Sequence, residues 1–253
     1  MTTADPLSKQ AIEHGTIRGR PRRILRQPFL WLFFLLFRLR LKHIERVPKE
    51  GGVLVVANHI HNADPILLNA AYPRPIHFMA KKEAFEVPVV PWALRWVGAF
   101  PVDRGKSDRW AIKRALAALN SGIAVAMFPE GTRSRVFALQ NAHPGAGLLA
   151  LSADVVVQPV AITGTERLPF NGSKGKAKGE LERDPGHSGA QILFGEPFRI
   201  PREIDGRRVT AEEATEILML EIARMLPEDF RGVYAEPLKR SAERAVFRET
   251  SPG

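Results

Sequence analysis

From residue 51 onward, short β-branched and apolar runs alternate with stretches of helical period, and no other feature of the chain limits its fold so tightly. Gly51-Gly52 precedes Val53–Ala57, an apolar run that reads as a buried strand. Asp64 to Ala71 reads as a short helix, with Asp64 as N-cap and Pro65 as its first residue. Ile76–Ala80 reads as a second strand, and Phe100–Val102 as a further strand broken by its proline. Asp108 to Leu119 carries Ile112, Leu116 and Leu119 at helical spacing. Ile123–Phe128, Val155–Ile162 and Gln191–Phe194 predict strands, and Gly145–Ala153 predicts a helix. Ala211–Leu226 is the most regular helix, with Ile217, Leu218, Leu220, Ile222 and Leu226 apolar and Glu212 and Glu213 near its positive end. Strands alternating with helices predict an α/β fold, a single domain whose central mixed, mostly parallel sheet is flanked by helices. Residues 171–190, rich in Gly and Lys, read as a surface loop.

The N-terminal fifth is different. Residues 1–50 hold 11 Lys/Arg against 4 Asp/Glu, a net of +7 out of the chain's +10. Such a face suits an anionic partner. Within it, Pro28–Phe37 is an uninterrupted aromatic and leucine run of 10 residues, with Arg22, Arg23 and Arg26 before it and Arg38, Arg40 and Lys42 after it. A spanning helix needs about 20 apolar residues, so one helix made from this run is too short to cross a bilayer. It sits late for a signal peptide, and no A-x-A-like site follows. Two readings remain, a buried core helix and an interfacial anchor. Cations on both sides of an aromatic run favour the anchor, with apolar side chains at the acyl boundary and arginines on lipid phosphates. Nucleic acid fits poorly, because bulky apolar residues gain nothing against phosphates and no nucleic-acid-binding signature is present. The expected organisation is a flexible polar terminus at 1–20, a basic, aromatic, membrane-associating helical arm at 21–45, one domain at 46–235 and a tail at 236–253. Ordinary composition, 45% hydrophobic and 25% charged, excludes disorder of the whole chain. The absence of cysteine excludes disulfides, a cysteine nucleophile and thiolate metal sites.

Three loops carry candidate chemistry. The first, Asn58-His59-Ile60-His61-Asn62-Ala63-Asp64, follows a strand, where α/β sheets line their ligand crevice. A loop that turns back brings Asp64 to His59, fixing the imidazole tautomer and leaving the other nitrogen as a base. The alternative is a plain helix cap beside a satisfied loop histidine. The second, Phe128-Pro129-Glu130-Gly131-Thr132-Arg133-Ser134, joins a glycine that permits close backbone approach to an arginine suited to phosphate. A solvated polar loop is its alternative. The third, Gly98 to Gly105, contains Asp103-Arg104 and has a surface turn as its alternative. Gly145-Ala146-Gly147-Leu148-Leu149-Ala150 fits G-x-G-x-x-A, with Glu166 about 20 residues on, but His143-Pro144 precedes it where a strand should stand.

Together these loops resemble the glycerolipid acyltransferases, the family of 1-acyl-glycerol-3-phosphate acyltransferases. The Asn-His-x4-Asp block is matched by Asn58, His59 and Asp64, and the block ending in Arg by Phe100 to Arg104. Phe-Pro-Glu-Gly-Thr-Arg-Ser is matched from Phe128 to Ser134, and the strand running into a proline by Val155 to Val160. The blocks keep their order between residues 40 and 235, and their register favours His59 over His61.

The resemblance implies transfer of an acyl chain from acyl-CoA or acyl carrier protein to a lysophospholipid hydroxyl, most directly that of 1-acyl-glycerol-3-phosphate. His59 would be the general base and Asp64 its orienting partner. Arg104, Glu130, Gly131, Thr132 and Arg133 would form the acceptor phosphate site, with Asn58 and Lys82 as further candidates. No acyl-enzyme, metal or cofactor is implied. The same chemistry on a lyso-ornithine lipid or a glycolipid, and a non-catalytic membrane adaptor, are the alternatives. Expected partners are a phospholipid surface, the lyso-lipid and the thioester donor, with no nucleic acid. The expected location is the cytoplasmic face of a membrane, as a monotopic or peripheral protein.

Overall fold

The computed structural model describes residues 38–81, 99–102, 109–168 and 189–241, with single positions at 28, 35 and 86. The aromatic run of the predicted arm, apart from two positions, and most of the predicted 171–190 loop lie outside the described residues.

Nine strands and four α-helices follow the chain in the order β1 (Arg40–Lys42), β2 (Val53–Ala57), α1 (Asp64–Ala71), β3 (Ile76–Lys81), β4 (Ala99–Val102), α2 (Arg109–Asn120), β5 (Ala124–Met127), α3 (Gly145–Ala153), β6 (Val156–Thr163), β7 (Gln191–Phe194), β8 (Glu203–Ile204), β9 (Arg207–Arg208) and α4 (Ala211–Met225), counted among the described residues. Seven strands form one sheet in the order β1-β7-β6-β2-β5-β3-β4. From β6 through β4 every neighbouring pair is parallel. β7 runs antiparallel to β6, and β1 follows β7 in parallel, which makes the sheet mixed.

The period of the central strand explains why both faces need cover. Val53, Val55 and Ala57 pack to one side with Leu67, Leu68, Tyr72 and Ile76, on and after α1. Leu54 and Val56 pack to the other side with Leu119, Leu149, Leu218 and Ile222, contributed by α2, α3 and α4. A strand buried on both faces reads as a continuous apolar run, and each buried Val or Leu contributes about 1.5–3 kcal/mol.

Three sequence-based expectations change. Arg40–Lys42, placed in the helical arm, is a sheet strand, and Arg40 N–H donates to the Ala190 carbonyl at 2.8 Å. Buried Leu39 and half-buried Leu41 alternate with exposed Arg40, so the arginine-leucine alternation is an edge-strand pattern. Pro101 does not break β4, because β4 is the last strand of the sheet and one side of it needs no donor. Asp64 is the first residue of α1 and does not cap it; Ala63 flanks the helix, with no side-chain cap.

The β2 and β5 strands are adjacent and parallel. The loops that leave their carboxyl ends, 58–63 and 128–144, therefore emerge side by side, and these are two of the loops that the sequence marks for chemistry.

Candidate active site

Asn58 sets the direction in which the first loop leaves the sheet. Its Nδ2 donates to the Ile162 carbonyl at 2.8 Å, and its Oδ1 accepts from the Ile162 amide at 2.7 Å. The side chain is buried and continues the ladder between β2 and β6 by one step. Its loss would leave two buried backbone groups unmet, at about 1–3 kcal/mol each. Asn58, a candidate for substrate contact in the sequence, is thus a structural clamp.

With Asn58 anchored, the loop turns back on itself. The fully buried Asp64 carboxylate reaches over residues 59–61, and Oδ2 accepts from His59 Nδ1 at 3.0 Å and from the Ile60 and His61 amides at 2.7 Å each. Capping and orienting were competing readings of Asp64, and the geometry selects orienting. With its proton on Nδ1, His59 carries the free electron pair on Nε2. The His59 side chain is 14% exposed, so the ring edge is open to a small polar group. His61 is closed off, and its Nδ1 accepts the Ala63 amide at 2.9 Å, which makes it a loop-forming residue.

The second loop grips His59 by its main chain. Glu130 Oε1 accepts the His59 amide at 3.1 Å, and the Ser134 amide donates to the His59 carbonyl at 2.8 Å. Glu130 Oε2 accepts the Gln140 amide at 2.9 Å, so both carboxylate oxygens hold backbone. Ser134 is buried, and its Oγ donates to the Ala138 carbonyl at 2.8 Å. Gly131 sits at φ +68°, a backbone conformation that favours glycine, and a Cβ there would displace the exposed His143 ring, 2.7 Å away at Cδ2. The Phe128 ring stacks on His59, with centroids 4.3 Å apart and planes inclined by 23°.

The structure thus brings His59, Asp64 and Glu130 into one cluster. Arg133 is half-buried and adjoins Ser134, one residue from the contact with His59. Thr132 is exposed on the same loop. Arg104 and Lys82 lie outside the described residues. The sequence marked Glu130 for phosphate; its carboxylate accepts the amides of His59 and Gln140. Sequence reading missed the contacts of Phe128 and Ser134 with His59. Their positions at the two ends of the Phe128–Ser134 block were the available signal.

Burial pushes the Glu130 carboxyl up to about 7, helped by the charge on Asp64 and opposed by its two amide hydrogen bonds. The folded protein therefore holds this proton to higher pH than the unfolded chain. The resulting stability is complete below the ordinary value of 4.5 and is lost as pH rises through about 7. At about 1.4 kcal/mol per unit, the term is on the order of 3 kcal/mol. Glu130→Gln, which cannot ionise, should flatten the fall in Tm between pH 5 and 8.5. An equal fall in both proteins would remove Glu130 as its source.

The dinucleotide-like glycines have another use. Gly147 lies inside α3, where a Cβ would meet the Ala211 carbonyl oxygen at 2.1 Å, and its amide donates to Thr215 Oγ1 at 3.0 Å. Gly147 lets α3 and α4 pack closely, whereas a Cβ at Gly145 would meet open space.

Comparison with known proteins converges on the same segment. A family model described as Acyltransferase matches residues 38–163. The chain is 31% identical over 156 residues to a 1-acyl-sn-glycerol-3-phosphate acyltransferase of Bacillus subtilis, covering 61% of this chain and 70% of that one. It is 35% identical over 159 residues to the same-named protein of Streptococcus pneumoniae, covering 62% and 54%. It is also 37% identical over 112 residues to a lyso-ornithine lipid O-acyltransferase of Pseudomonas aeruginosa, covering 44% and 43%. The chain spans about half the length of several curated relatives that it matches. Its fold is similar to the crystal structure of a 1-acyl-sn-glycerophosphate acyltransferase from Thermotoga maritima, with a TM-score of 0.56, 23% identity and coverage of 86% and 79%.

Proposed function

The chain belongs to the acyltransferase family, and from that premise we propose that it moves an acyl chain from a thioester to the hydroxyl of a lysophospholipid, most directly 1-acyl-glycerol-3-phosphate. The observation that carries the reading is the double hold on His59, its ring on buried Asp64 and its main chain on the Phe128–Ser134 loop. His59 Nε2 takes the acceptor hydroxyl proton as the oxygen attacks the thioester carbonyl carbon. The C–S bond then breaks, and the leaving thiolate takes the proton from the imidazolium. Asp64 holds the ring in register and balances its transient charge. Arg133, with Arg104 and Lys82 beyond the described residues, holds the acceptor phosphate, and Thr132 adds a hydroxyl. The donor is acyl-CoA or acyl carrier protein, and no cofactor takes part.

A lipid acceptor requires work at a membrane surface, and we place the protein on the cytoplasmic face as a monotopic or peripheral enzyme. No described helix is long and apolar enough to cross a bilayer. The aromatic run from Pro28 to Phe37 supplies apolar burial, and the cations that flank it add about 1 kcal/mol each near an anionic surface. Deleting residues 1–37 should release the folded protein from vesicles containing anionic lipid, and unchanged binding refutes the anchor.

The decisive assay offers labelled acyl-CoA, and in parallel an acyl carrier protein donor, to lysophosphatidic acid, a lyso-ornithine lipid and a lyso-glycolipid in detergent. Lysophosphatidic acid should react fastest. Arg133→Ala should raise its KM by about 10–100-fold, the value of one charge-assisted contact. The Pseudomonas relative favours the lyso-ornithine acceptor as the second reading, and faster turnover of that lipid, indifferent to Arg133, would establish it. A folded protein that acylates nothing would be an adaptor.

A further inference from the structure

We propose that Phe128 is a positioning residue for the base, its ring face aligning the His59 imidazole and supporting the positive charge that the imidazole acquires during acyl transfer. The inference rests on the acyltransferase reading above and adds to it a residue that acts only through another.

Two contacts at right angles define the imidazole. Asp64 Oδ2 meets Nδ1 in the plane of the ring at 3.0 Å. Phe128 meets the face of the ring, with centroids 4.3 Å apart and planes inclined by 23°. An in-plane hydrogen bond alone leaves the ring free to pivot about the Nδ1–Oδ2 line. A face contact alone leaves it free to spin within its plane. Together they fix both side-chain torsions, so Nε2 points in one direction before the acceptor arrives.

Phe128 is itself held. Phe78 of β3 lies behind it, with centroids 6.4 Å apart and planes inclined by 26°. Phe128 thus has ring contacts both with the sheet, at Phe78, and with the site, at His59. Phe128 also begins the loop whose later residues, Glu130 and Ser134, hold the His59 main chain. One segment therefore fixes the backbone and the ring of the same residue.

The electrostatics point the same way. The face of a phenyl ring is negative, and a cation over it is stabilised more when water is excluded. A neutral imidazole gains little from that face, whereas the imidazolium formed as the proton moves gains more. An interaction that is stronger at the charged stage raises kcat more than it lowers KM. The charged groups on the elements packed against His59 are Asp64 from its own loop and Glu130 and Arg133 from the Phe128 loop. Asp64 is the one bonded to the ring.

The test pairs Phe128→Leu, which keeps apolar volume and removes the π face, with Phe128→Tyr, which keeps the face. Phe128→Met serves as a second π-free variant if the leucine protein does not fold. The leucine protein should lose about 3–30-fold in kcat, the range set by a cation–π contact, with acceptor KM within about twofold of wild type. The tyrosine protein should keep kcat within about twofold. Proton NMR of the His59 ring, assigned by difference from His59→Gln, should show upfield ring-current shifts in wild type and Phe128→Tyr that vanish in Phe128→Leu. If wild type is active and the leucine and tyrosine proteins have equal kcat, the role of Phe128 is overturned while the acyltransferase reading stands. If wild type shows the upfield signature but acylates no acceptor, the acyltransferase reading fails and takes the proposal with it.

Discussion

Replacing His59 with alanine should cut acyl transfer by about 10²–10⁴-fold, the usual contribution of a general base. The fall should appear in kcat, with acceptor KM little changed, because the proposed phosphate contacts lie on other residues. Folding should survive. The hold on residue 59 is made by its amide and carbonyl, to Glu130 and Ser134, and alanine keeps both groups. What is lost is the bond to Asp64 and the stack on Phe128. The measurement is the initial rate of phosphatidic acid formation beside a thermal melt. Activity within about tenfold of wild type, on a protein of normal Tm, would remove His59 as the base. His61→Ala is the control for register. His61 is buried and accepts the Ala63 amide, so its loss should lower stability before it touches the chemical step.

The second large effect belongs to Asp64. Asp64→Asn keeps an oxygen where Oδ2 accepts from Nδ1 of His59 and the amides of Ile60 and His61, so the shape of the loop should hold. The charge disappears. An imidazolium then forms without the carboxylate that bonds its ring, and kcat should drop by about 10²–10⁴-fold. Stability should change little: among the described residues Oδ1 is buried without a hydrogen-bond partner, so the cost of a buried carboxylate is exchanged for that of an amide group. Asp64→Ala is the destructive control, leaving three donors unmet. An Asp64→Asn protein with near-normal kcat would show that Asp64 only shapes the loop.

Much of this was legible in the sequence, and the gaps have physical causes. The central strands announced themselves because a strand buried on both faces is a continuous apolar run, as Val53–Ala57 is. The separation of His59 from Asp64 allowed either a helix cap or a hydrogen-bonded pair, and only the return path of the loop decides between them. Arg40–Lys42 was hidden because a three-residue edge strand has almost no period of its own and followed a louder aromatic run. The β8–β9 hairpin had a clear signal that went unread. Asp205-Gly206 is a favoured two-residue turn, and both residues adopt positive φ. The role of Glu130 could not be read from its neighbours in the chain. Its partner His59 is 71 positions away, and their meeting depends on β2 and β5 lying side by side.

The clamp between Asn58 and Ile162 has a consequence for how the protein is made. The two residues are separated by 104 positions, with α1, β3, β4, α2, β5 and α3 between them. A ribosome adding about 5–20 residues per second needs roughly 5–20 s to reach Ile162 after Asn58 has emerged. Throughout that interval the segment carrying His59 and Asp64 has no docking partner on β6, although its own short-range contacts are already available. On the acyltransferase reading, the nascent chain can hold His59 and Asp64 and still lack the complete site. The site is complete only after the sixth strand pairs with the second, so its assembly is timed by translation itself.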